Sequence, residues 1–143
     1  MGRLSQWLSD ASHSGVYRTA SANGVEAAAR DGALRVARID LGGTSGKDAQ
    51  IGRIGAALSF PAWFGGNWDA LEDCLSDLSW SDAGGHVLLF EGAGSVAADE
   101  RGILIDILES AAAFWRERRR PFYAVFVNGP PALPDLDQSD KWA

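Results

Sequence analysis

Apolar residues recur along this chain in two rhythms, and the alternation between them sets the expected fold class. From Leu34 to Leu41 the run LRVARIDL is apolar and β-branched and is closed by two glycines, the pattern of a strand. A helical rhythm follows, in which Ser45 offers an N-cap and Ile51, Ile54 and Leu58 share one face of a helix reaching about Leu58. Pro61 stops that helix, Asn67 offers a second cap, and a helix from Trp68 to about Leu78 carries Leu71, Cys74, Leu75 and Leu78 on one stripe. HVLLFE, from His86 to Glu91, is a buried strand bounded by glycines. A longer helix is expected from about Ala98 to Arg118, with Ile103, Ile107, Ala111, Phe114 and Arg118 at helical spacing, and FYAVFV, from Phe122 to Val127, is the last strand.

The first 33 residues read less clearly, with a short strand from Gly15 to Ala20 and a short helix from Val25 to Asp31 ended by Gly32. Strands separated by helices predict an α/β fold with a parallel sheet of three core strands, and the N-terminal extension can add a fourth. The expected organisation is an N-terminal extension over 1–33 packed on a domain over 34–128. A flexible tail over 129–143 completes it, because its prolines and polar residues oppose regular structure.

A chain of 143 residues has the size of one domain. No apolar run approaches the roughly 20 residues of a membrane helix, the N-terminus lacks the pattern of a secretory signal, and the single Cys74 has no disulfide partner within the chain. A soluble, cytoplasmic protein, monomeric when free, is the expectation.

Charge changes the picture more. The formal net charge of −6 opposes direct nucleic-acid binding. Its distribution is more specific: between Ile54 and Glu100 there is no Lys or Arg, but there are Asp69, Glu72, Asp73, Asp77, Asp82, Glu91, Asp99 and Glu100. On the helix from Trp68, the apolar stripe must face inward, which sends Asp69, Glu72, Asp73, Ser76 and Asp77 to the opposite side. Asp69 and Asp73 stand one turn apart and repel each other weakly. Acids without basic neighbours, beside the aromatics Trp63 and Phe64 in the glycine-broken loop Gly65-Gly66, describe a binding surface for a basic partner.

Enzyme chemistry has less support. Gly92-Ala93-Gly94-Ser95-Val96-Ala97 fits a dinucleotide-binding G-x-G-x-x-A after a strand, but Glu91, Asp99 and Glu100 crowd the same helix start and would repel a pyrophosphate. No His or third acid off the helix completes a metal site with Asp69 and Asp73. Cys74 lies on the apolar stripe, and His86 opens a buried strand, so both read as structural. The run from Arg116 to Arg120 sits at a helix C-terminus, where positive charge is stabilising. The expectation is a binding protein without cofactor or metal.

The stretch FPAWFGGNWDALEDCL resembles the barstar-like family of intracellular ribonuclease inhibitors. The family pattern is met by Pro61, Trp63, Phe64, Gly65, Asn67, Trp68, Asp69, Ala70, Leu71, Asp73, Cys74 and Leu75. The resemblance implies that this helix and the loop before it cover the active site of a basic ribonuclease, with Asp73 in the leading role and Asp69 second. A late acid of the long helix in the family matches Glu117. Trp63 and Phe64 stand where compact members have two tyrosines, and Glu72 where they have an aromatic, which points to a cognate ribonuclease or another nuclease toxin rather than to barnase.

Overall fold

The computed structural model describes residues 3–44, 46–61, 66–79, 81 and 83–137. The elements in order are α1 (Arg3–Leu8), β1 (Gly15–Thr19), α2 (Ala22–Asp31), β2 (Arg35–Asp40), α3 (Lys47–Ala57), α4 (Trp68–Leu75), β3 (His86–Glu91), α5 (Ala98–Glu117) and β4 (Phe122–Val127), with one-turn 3-10 segments at Ala11–His13 and Ala93–Ser95. The fold is α/β, and the four strands are all parallel in the order β1-β4-β3-β2. The fourth strand comes from the N-terminal extension: Gly15 stands opposite Tyr123 and Thr19 opposite Val127.

The two strands that read as continuous apolar runs, β3 and β4, are the central ones, as expected when both faces of a sheet are covered. Their side chains alternate between two cores. Leu88, Phe90, Phe122, Ala124 and Phe126 pack with residues of α3, α4 and α5, and the rings of Phe90 and Phe126 stack at 4.7 Å. Val87, Leu89, Tyr123 and Val125 pack on the other face with Leu8 of α1 and with Val25 and Ala29 of α2. Helices on both faces make three layers.

Four expectations need correction or completion. α1 was not expected at all, yet it buries Ser5 and Leu8, and the hydroxyl of Tyr123 donates to Asp10 O at 2.7 Å just beyond it. In α5 the inward stripe is Leu104, Ile107, Leu108, Ala111 and Ala112, one residue round from the expected set, and Ile103 is left 42% exposed. α4 ends at Leu75 rather than near Leu78, although Leu78 is still buried after a left-handed turn of φ 49°. Finally, the expected flexible tail is packed as far as Asp137. Arg18 N donates to Pro134 O at 2.9 Å, Leu136 N donates to Arg18 O at 2.8 Å, and Leu133 and Leu136 are buried. The Thr19 hydroxyl also bonds Asp137. The expected helix cap Ser45 lies outside the described residues; Gly46, at φ 88°, precedes α3.

Candidate functional site

The exposed face of α4 follows from three local causes. Asn67 adopts an extended backbone, and its Oδ1 accepts a 2.7 Å bond from Ala70 N, which starts the helix at Trp68. Leu71, Cys74 and Leu75 are fully buried, so the rotation of the helix is fixed. Its C-terminal end is tied to α5 by Trp115, whose Nε1 donates to Leu75 O at 2.7 Å.

With that rotation fixed, Asp69, Glu72 and Asp73 are exposed together, Ser76 is the half-buried C-cap, and Asp77 is exposed one residue later. Gly66, exposed and at φ 74°, leads into the cap; Trp63, Phe64 and Gly65 lie outside the described residues. The ion pairs among the described residues join Arg18 to Asp135, Arg30 and Arg38 to Glu26, and Arg38 to Glu91, and none includes a carboxylate of α4. α4 also has no basic residue in its last turn. The negative charge of this face is therefore not neutralised by described side chains of the protein itself.

The sequence places Asp77 on the acid side of a helix reaching about Leu78, but α4 ends at Leu75, so Asp77 lies just beyond it. The turn at Ser76, where Asp77 N donates to Cys74 O at 3.1 Å, keeps it beside the other acids. Burial pushes the Cys74 thiol up, and the nearby charges of Asp77 and Asp73 push it further, which is the opposite of what a nucleophile needs.

Glu117, the last residue of α5, is exposed, and no described ion pair joins it to the arginines around it in sequence. Three of them are held elsewhere. Arg116 Nη1 donates to Ser14 O at 2.8 Å, the Arg118 guanidinium lies 3.5 Å from the centre of the Phe114 ring, and that of Arg120 lies 5.8 Å from Trp115.

The remaining candidates for chemistry are structural. His86 Nε2 lies 3.0 Å from Ser81 Oγ, and burial, then the charges of Arg35 and Arg120, lower its pKa to about 4. Gly92 is at φ 74°, and a Cβ there would come within 2.5 Å of Gly42 N. That glycine is needed for two loops to touch, a packing reason that owes nothing to a phosphate. Among the described residues no group of three or more His, Cys, Asp and Glu is gathered to hold a metal, and no helix is long and apolar enough to cross a membrane.

The family described as Barstar (barnase inhibitor) matches residues 34–127. No curated protein matches the chain. The matched span runs from just before β2 to the end of β4 and contains α4 whole, leaving α1, β1 and α2 outside it.

Proposed function

We propose, from the premise that this chain belongs to the barstar family, that it is a protein inhibitor of a basic ribonuclease. It acts by laying α4 and the loop before it over the nuclease active site. The observation that carries the reading is the α4 face, where Asp69, Glu72, Asp73 and Asp77 are exposed on a helix of fixed rotation without a described ion-pair partner.

A nuclease active site holds RNA phosphates with Arg, Lys and His. A carboxylate can occupy a phosphate subsite and accept bidentate bonds from Arg, and such charge-assisted bonds strengthen as water is excluded. Asp73 takes the leading subsite and Asp69 a neighbouring one, with Trp63, Phe64, Gly65, Gly66 and Asn67 bordering them and Glu72, Ser76 and Glu117 at the periphery. No bond is made or broken, so the chain is not an enzyme and needs no cofactor. The barnase–barstar pair is the standard example of such steered association, and its magnitudes belong to that pair. The departures at Trp63, Phe64 and Glu72 make the target a cognate ribonuclease or another nuclease toxin, for which this chain is the cytoplasmic immunity protein.

The test is a pull-down from lysate and secreted fraction of the source cells, with wild type and the Asp69→Ala, Asp73→Ala double variant as parallel baits. Capture of a basic nuclease by wild type alone supports the reading and names the target. Equal capture by both baits, or capture of no nuclease, refutes it.

A further inference from the structure

The acidic helix is not presented alone. Trp115 fastens the C-terminal end of α4 to the last turns of α5, and Arg116 in the last turn, Arg118 at the C-cap and Arg119 and Arg120 just after it surround that end. Helical geometry sorts them. Arg116 lies about 100° round the helix from Trp115 in one direction and reaches Ser14 before β1, whereas Phe114 lies about 100° round in the other direction and Arg118 about 60°. Phe114 and Arg118 thus occupy the flank of α5 away from Arg116 and β1, next to Trp115, which itself meets α4.

Arg118 and Arg120 are held by the aromatic rings near the end of α5. Arg118 lies over the Phe114 ring and donates from Nη1 to Phe114 O at 3.0 Å, Phe114 meets Trp115 edge-on at 5.0 Å, and Arg120 lies over the Trp115 ring. None of the described ion pairs links them to α4 or to Glu117. A guanidinium held on an aromatic face keeps its charge and its outer donors while losing little freedom on binding, which suits an interface anchor. A wholly basic partner would gain nothing from these cations and would be repelled by them.

We infer that the binding surface has two signs, the acid face of α4 beside the arginine end of α5, and that the target nuclease carries acidic residues next to its basic pocket to meet Arg118 and Arg120. The inference rests on the inhibitor reading above and adds a requirement on the partner. It makes Arg118 and Arg120 determinants of which nuclease is accepted, because a nuclease with only basic residues around its pocket is disfavoured at this edge.

The test uses the nuclease retained by the wild-type bait, with affinity measured for wild type, Asp73→Ala, the pair Arg118→Glu with Arg120→Glu, and the milder pair Arg118→Gln with Arg120→Gln, each checked for unchanged circular dichroism. The glutamate pair is expected to weaken binding by about tenfold at low salt, with the glutamine pair in between. The sign is decisive, since added acid at the edge of a wholly basic partner would tighten binding. Unchanged or tighter binding by both pairs, while Asp73→Ala still loses affinity, overturns this inference and leaves the inhibitor reading intact. Asp73→Ala binding as well as wild type overturns the inhibitor reading, and this inference with it.

Discussion

Asp73 and Asp77 stand near the negative end of α4, where a carboxylate is electrostatically unfavourable, and the last turn has no basic residue to offset it. Asp73 also lies one turn from Asp69. Each of the two acids is expected to cost the free protein about 0.5 kcal/mol, from the helix dipole and from like-charge repulsion at exposed positions. Replacing both by Asn preserves shape and removes only charge. The double variant should therefore be more stable by roughly 1 kcal/mol, a rise in melting temperature of about 3 °C for a chain of this length. Thermal unfolding at low ionic strength measures it, and repeating the scan in 1 M salt, where the screening length falls to about 3 Å, should erase most of the gain. The same variant should bind the nuclease more weakly, so stability and function move in opposite directions. A loss of stability, or a gain that survives high salt, would mean that these carboxylates are already paired in the free protein, and the argument for an unneutralised face would fail.

Three further outcomes follow from the geometry. Asn67→Ala removes the 2.7 Å bond to Ala70 N and should cost about 1 kcal/mol in urea unfolding, while Asn67→Asp, which keeps the acceptor, should cost far less. His86 titrates in the unfolded chain near 6.5 but in the fold only near 4, so on acidification the unfolded state takes up its proton first. Stability should accordingly fall as pH drops from about 6.5 to about 4, and this part of the pH dependence should be absent from a His86→Asn variant. Gly92→Ala places a Cβ against the Gly42 backbone at a left-handed φ and should cost about 3 kcal/mol, read as a lowered melting temperature, with no effect traceable to a nucleotide.

The central strands were legible because β3 and β4 are unbroken apolar runs, a pattern produced by burial on both faces. The face of α4 was legible because three buried positions suffice to fix the rotation of so short a helix. The phase of α5 was only partly legible, because Ile103 and Leu104 start two adjacent apolar rows, and only the row from Leu104 is buried along its length, with Ile107 buried beside it and Ile103 exposed. The inward face is centred between Ile107–Ala111 and Leu108–Ala112, where the two small residues allow close approach. α1 left only the spacing of Leu4, Trp7 and Leu8 as a signal, too few turns for a period to emerge. Residues 129–137 pack, because prolines exclude helix and central strand without excluding a packed loop, and Leu133 and Leu136 anchor one in different cores. Around Glu117 the sequence crowds arginines that the helix then fans out to Ser14, Phe114 and Trp115, a separation that only three-dimensional geometry reveals.

The central claim is that carboxylates of α4 stand in for RNA phosphates, and steady-state inhibition of the captured nuclease on an RNA substrate tests it most directly. The account predicts competitive inhibition: wild type raises the apparent KM for RNA and leaves kcat unchanged, and Asp73→Ala at the same concentration changes neither KM nor kcat. A fall in kcat with KM unchanged, or equal inhibition by Asp73→Ala, would contradict it.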